Sequence, residues 1–389
     1  MTLASQQRSS AGRWAALLLA AVCSSASAIT ALVPGNDGEV LEVLPAVTRS
    51  RPAAPALVVA AARPADPEVI GRQARELIGV ARQTGDTRYW GRAQALLAPW
   101  WDKADAPADL AVLQATVQQG RHEFDAARKL LEATLGRAPG HAQGWLNLAA
   151  LERLSGRYAQ SLLACDAVSR AGQVLYASAC RLETQSLQGQ HRIAEQGFTA
   201  LLGQVSQPSQ QSWLWSLLAE ARERSGQDKA AADAYTRSLA FEADLYTSIA
   251  YTDLLLRTGK TSLALQTLGA LPETDAVLLR RAAAWQRLGD ARWKLPRALL
   301  QERSAELLRR GDDPALHGRE AALAALWLDG DAPGALALAR RNLRLQREPL
   351  DWWVALHSAR LAKDTVALAE LSALVRDSGL RDARLEALK

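Results

Sequence analysis

The sequence predicts an all-α solenoid of about eight helical hairpins, and three observations predict it. Glycines at 156, 189, 226, 259, 289 and 330 are separated by 33, 37, 33, 30 and 41 residues, so four of the five gaps lie within four residues of a 34-residue period. Small residues follow these glycines in step, each paired with a residue four further on: Ala194 with Phe198, Ala231 with Tyr235, Ala264 with Leu268, Ala335 with Ala339. Alanine and leucine dominate while β-branched runs are almost absent, which is a helix-forming composition. At 389 residues one compact core would be large, whereas stacked units add length without enlarging any core.

The clearest unit spans residues 142–175. Trp145, Leu148, Ala149 and Glu152 sit at the i, i+3, i+4, i+7 spacing of one helix face. Gly156, Arg157 and Tyr158 then turn the chain into a second helix carrying Ser161, Cys165 and Val168, and Pro139 closes the preceding unit. This pattern resembles the tetratricopeptide repeat (TPR), which asks for Trp, Leu and a small residue on the first helix, Gly and Tyr at the turn, and small and aromatic residues on the second. The resemblance implies a right-handed superhelix of TPR-like hairpins over residues 67–389. Small residues let paired helices approach closely, and glycine relieves the tight turn.

The ends of the array are degenerate. Gly120, Phe124, Ala127 and Leu131 form a unit with about two extra turn residues, and a weaker unit surrounds Gly85 and Tyr89. Trp293, Lys294 and Pro296 interrupt the unit near Gly289, and the last pair, near Trp352 and Trp353, has no turn glycine. Half-buried capping is the expected role of Trp352 and Trp353, and of Trp100 and Trp101.

The N-terminus reads as a secretory signal peptide over residues 1–28. Arg8 and Arg13 precede an apolar stretch at 14–23, and small residues follow up to Ala28. The stretch is short for a membrane span, which disfavours a retained anchor; Val22 before Cys23 disfavours a lipidated cysteine. Export to a bacterial periplasm is the expectation. Residues 29–66 are rich in Pro and Ala and read as a disordered arm or linker.

Removing Arg8 and Arg13 lowers the net charge from +5 to +3. The basic excess lies beyond residue 275, in arginines such as Arg340, Arg341, Arg344 and Arg347. No aromatic-interleaved or groove-reading motif accompanies them, so a solvated helix face is expected rather than a nucleic-acid surface. After signal cleavage two cysteines remain, Cys165 and Cys180, level with each other on either side of a turn near Gly172. They form a possible disulfide; the alternative is two free thiols at small core positions.

Catalytic and cofactor motifs are not evident: the sequence has no Gly-rich phosphate loop, no H-E-x-x-H, no G-x-S-x-G and no C-x-x-C. His122, His141, His191, His317 and His357 lack metal-ligand spacing. No cofactor or metal is expected.

The family resemblance implies that first helices face the concave side, with positions two, five, nine and twelve pointing into it. Counting back from Gly189, Gly226 and Gly259, the second positions are Tyr176, Trp213 and Tyr246 and the ninth are Glu183, Glu220 and Asp253. An aromatic row and an acidic row would suit an extended or helical segment with apolar side chains and Lys or Arg. TPR proteins that grip a terminal carboxylate use Lys, Arg and Asn here. Asn147 and Arg153 are present, but the next units offer Cys180, Glu183 and Glu220. The expected function is an exported protein-binding scaffold for an envelope assembly, secretion or maturation partner. The alternatives are a self-associating structural component and a glycan-acting enzyme, or its accessory domain, using Glu183 and Glu220 as acid and base.

Overall fold

The computed structural model describes residues 66–309 and 318–388, which are helical hairpins throughout, with no strand among the described residues. The expected signal segment and all but the last residue of the arm lie outside the described residues.

Among the described residues nine hairpins follow one another, one more than the sequence predicts. The first four pair α1 (Pro67–Thr84) with α2 (Arg88–Leu97), α3 (Ala108–Gly120) with α4 (Phe124–Arg137), α5 (Ala142–Leu154) with α6 (Tyr158–Arg170), and α7 (Val174–Leu187) with α8 (His191–Leu202). The next three pair α9 (Pro208–Arg224) with α10 (Asp228–Phe241), α11 (Leu245–Arg257) with α12 (Thr261–Leu268), and α13 (Asp275–Arg287) with α14 (Lys294–Arg309). The last two pair α15 (Gly318–Ala324), continued by a π turn at Ala325–Asp329, with α16 (Ala332–Asn342), and α17 (Pro349–Leu361) with α18 (Thr365–Ser378). A single turn, α19 (Ala383–Glu386), ends the array.

The register read from glycine holds in the backbone. All six register glycines have positive φ, from 66° at Gly330 to 87° at Gly189. Around Gly156 the turn closes by Gly156 N–H donating to Arg153 C=O at 2.9 Å and Arg157 N–H to Glu152 C=O at 2.8 Å. The same pair of bonds recurs at Gly189, Gly226, Gly259 and Gly289. This is the left-handed helix stop that glycine adopts without steric cost. In the second hairpin Gly120 is not the turn residue: it ends α3, and His122 takes the left-handed position at φ 63°. Lys363 does the same at φ 57° in the ninth hairpin, which is why that unit shows no turn glycine.

Packing follows the small-and-bulky pairs. Ala194, Phe198, Ala231, Tyr235, Ala264, Leu268 and Ala335 are fully enclosed, and Ala339 nearly so. A methyl group at these positions lets α8, α10, α12 and α16 seat against their partner helices, and the residue four on fills the gap to the next unit. Cys165 on α6 and Cys180 on α7 are disulfide-bonded with Cα atoms 5.7 Å apart, tying the third hairpin to the fourth. Trp352 belongs to the core, whereas Trp353, Trp100 and Trp101 are half-buried.

The array comes round on itself. Gly85, in the turn of the first hairpin, lies against Thr274, between the sixth and seventh. Arg347 N–H, between the eighth and ninth, donates to Leu154 C=O in the turn of the third at 2.7 Å; Arg381 N–H, after the ninth, donates to Leu187 C=O in the turn of the fourth at 2.8 Å. Arg384 on α19 reaches Glu223 on α9 at 2.9 Å. The first three contacts share one offset of between five and six hairpins. Successive superhelical turns therefore meet edge to edge, and the first helices line an inner wall.

Candidate functional site on the inner wall

Residues thirteen, six and three before a turn glycine are spaced seven and three apart, which places them on one face of the first helix. The structure brings the expected residues together on that face, in a different state from the one their types suggest.

Tyr176 and Trp213, on adjacent first helices, are in ring contact with centroids 5.4 Å apart. Tyr246 on the next is 63 % exposed, with its hydroxyl donating to Glu220 Oε1 at 2.8 Å. The aromatic row is thus continuous over two units and open at the third.

The acidic row is not open, which corrects the expectation that it waits for Lys or Arg of a partner. Glu183 is paired with Arg153 at 2.8 Å. Glu220 is paired with Arg224 one turn along its own helix at 3.2 Å, in addition to the Tyr246 hydroxyl. Asp253 is held by two bonds of 2.7 Å from Arg280, itself almost fully buried. Burial pushes the Glu220 carboxyl above its ordinary value, opposed by Arg224 and reinforced by the Glu183 charge. Burial does the same to Asp253 against the pull of Arg280. Glu183 and Glu220, the acid and base of the glycan-acting alternative, are both paired within the chain. Asn147 is also committed: it is buried, donates to Thr116 Oγ1 at 2.9 Å and accepts from Gln143 at 2.9 Å. Arg153 is spent on Glu183 and on Cys180 Sγ at 3.6 Å, so Asn147 and Arg153 do not form a carboxylate grip.

Deeper on the same face is a cavity of about 340 Å³ that sequence reasoning missed. The first helices of five consecutive hairpins converge on it, bringing Glu223 from α9, Asp253 from α11, Arg287 from α13, Trp327 from the π turn that continues α15 and Trp353 from α17; Arg384 of α19 closes it. Glu223 accepts from Arg257 at 3.1 Å, Arg384 at 2.9 Å and the Tyr235 hydroxyl at 3.1 Å. Trp353 stacks on His357 with centroids 4.7 Å apart. Arg287 donates to Leu256 C=O and stands over the Trp327 ring at 5.7 Å. Part of the signal was available: of the six twelfth positions, three before a turn glycine, Glu223, Leu256 and Trp327 line this cavity, whereas Arg153, Ser186 and Gln286 do not.

Among the described residues no group of His, Cys, Asp and Glu could hold a metal ion, and no helix is long and apolar enough to cross a membrane. His141 caps α5, accepting from Gly144 N–H at 3.0 Å, and contacts Asp109 at 2.8 Å. His317 lies outside the described residues.

The repeating hairpins, left-handed turns and inward first helices decide the architecture. The chain is a TPR-like α-solenoid. Solved structures of similar fold include a thermophilic TPR protein of Thermus thermophilus, 18% identical, covering 49% of this chain and 100% of that one with a TM-score of 0.41. A Rap protein complexed with competence and sporulation factor is 10% identical over 83% of this chain and 100% of that one, TM-score 0.46. The TPR domain of P58(IPK) is 13% identical over 77% and 99%, TM-score 0.21. No family model matches the TPR-like solenoid, nor does any curated protein.

Proposed function

We propose that this TPR-like solenoid is an exported interaction scaffold whose inner wall holds an apolar segment of an envelope assembly, secretion or maturation protein. The observation that carries the reading is the aromatic row of Tyr176, Trp213 and Tyr246, ending in a tyrosine ring that is 63 % exposed and bonded only through its hydroxyl. Aromatic rings give large contact area at low entropic cost, so they are the usual anchors of a protein interface. Because Arg153, Arg224 and Arg280 already neutralise the three carboxylates, apolar contact rather than charge drives this binding. Export is supported by the N-terminal charge and apolar pattern. It is supported further by the Cys165–Cys180 bond, a link that persists in oxidising compartments such as the periplasm.

The test is site-specific photocrosslinking in the native envelope fraction, with a benzophenone amino acid at position 246 and, as a control, at Leu163, an exposed residue of second helix α6. The expected result is a heterologous adduct from position 246 alone, weakened by Tyr176→Ala. Adducts only between copies of this chain would move the reading to a self-associating component, and equal labelling from both positions would remove the inner wall as the site.

A further inference from the structure

We infer that the cavity at the C-terminal end of the inner wall is a binding site for a small aromatic acid, a flat ring bearing one carboxylate. Its volume, about 340 Å³, lies at the low end of the roughly 300–1,000 Å³ typical of small-molecule pockets. That suits one compact molecule, and the lining shares no residue with the aromatic row.

Charge selects an anion. Glu223 is saturated by Arg257, Arg384 and Tyr235, and Asp253 by Arg280. Arg257 and Arg384 are in turn held by Asp228 and Asp382. Arg287 is the cavity arginine with no carboxylate at ion-pair distance among the described residues; its one hydrogen bond is to the Leu256 carbonyl. An incoming carboxylate has this guanidinium to pair with, in a site where desolvation strengthens the pairing.

Shape selects a ring. Trp327 and Trp353, each with a partner at one face in Arg287 and His357, stand beside Leu256 and Leu350 in the lining, and flat apolar surfaces favour offset stacking with an aromatic guest. A sugar acid is disfavoured because its hydroxyl donors need free acceptors, and both lining carboxylates are already committed.

The probe is naphthalene-2-carboxylate, titrated calorimetrically into the full mature chain with its disulfide intact. One molecule is expected to bind per chain. The uncharged naphthalene-2-carboxamide and the non-aromatic cyclohexanecarboxylate should each bind at least about tenfold more weakly, as expected for loss of one charge-assisted bond or of stacking. Arg287→Gln should reduce acid affinity to that of the amide and leave the amide unchanged, with an unaltered melting curve. The wild-type comparison of acid with amide needs no variant, so a misfolded R287Q chain does not spare the proposal. No binding at millimolar acid, equal affinity for acid and amide, or tighter binding of glucuronate would overturn it. Loss of partner crosslinks at position 246 would leave this result untouched, which keeps the two readings separable.

Discussion

The middle hairpins and the C-terminal ones are built from the same unit but are held together differently. From α5 to α12 the turns are glycine-based, the hairpin interfaces pair a small residue with a bulky one, and a disulfide ties two neighbours. From α13 onward the spacing widens to 41 residues between Gly289 and Gly330, α15 ends in a π turn, and Lys363 replaces glycine. There a buried polar network is set into an otherwise apolar interface. Arg319 holds Asp351 by bonds of 2.7 and 2.8 Å, and Asp351, almost fully buried, also accepts from Asn342 at 2.6 Å and from Glu348 N–H at 2.8 Å. The middle is specified by contacts to adjacent units, whereas the C-terminal part carries the backbone donors Arg347 and Arg381 that close one superhelical turn on another.

The largest effect should come from breaking the polar interface. Arg319→Ala leaves the Asp351 carboxylate buried without its cation, a change that costs about 3–5 kcal/mol. Chemical denaturation should show the C-terminal hairpins melting first, and a loss under about 1 kcal/mol would mean that this network behaves like a surface ion pair.

Next is the covalent tie in the middle. The Cys165–Cys180 link closes a loop with a separation of 15 residues, and its removal by a Cys165→Ala, Cys180→Ala pair should cost about 3 kcal/mol. Denaturation of the double variant beside the oxidised protein measures it. Ala231→Leu should cost about 1–3 kcal/mol, because Ala231 is fully enclosed and added methylenes have no space; an unchanged melting curve would contradict the register of the middle units.

The smallest change is a gain in stability in the ninth hairpin. Lys363→Gly should raise stability by about 1 kcal/mol, since a side chain at positive φ is strained where glycine is not. The same assay on Gly259→Ala, at φ 75° with open space around it, should show a loss of similar size.

Alkali tests the middle hairpins, since Tyr158 lies on α6 and Tyr235 on α10. Burial raises the phenol pKa of Tyr158 and of Tyr235, the latter also under the Glu223 charge. The folded value lies above the unfolded one, so this stability is complete below about pH 10 and is lost as pH rises beyond it. The part of the tyrosinate absorbance that is lost in Tyr158→Phe and Tyr235→Phe variants should therefore coincide with unfolding above that pH rather than precede it.

Much of this was legible in the sequence. The six glycines and the alanine pairs gave period, hairpins and core because each acts within one unit. Three features were not legible, each for a physical reason. His122 and Lys363 carry no glycine signature although they occupy the same left-handed position. The acidic row looked free because two of its partners lie in neighbouring units, Arg153 beside Glu183 and Arg280 beside Asp253. Closure runs through backbone N–H groups of Arg347 and Arg381 to carbonyls of distant turns, and a main-chain donor leaves no trace in residue type.

The solenoid closes on itself through the Arg347 and Arg381 amides, and hydrogen exchange at those two amides is the sharpest probe of that closure. Both amides sit in connecting segments outside helices and bond only to the Leu154 and Leu187 carbonyls. Closure requires them to exchange at least about a hundredfold more slowly than unstructured chain, as for amides released only by cooperative opening. Exchange at the unprotected rate, with the helices of the ninth hairpin still protected, would show an open array.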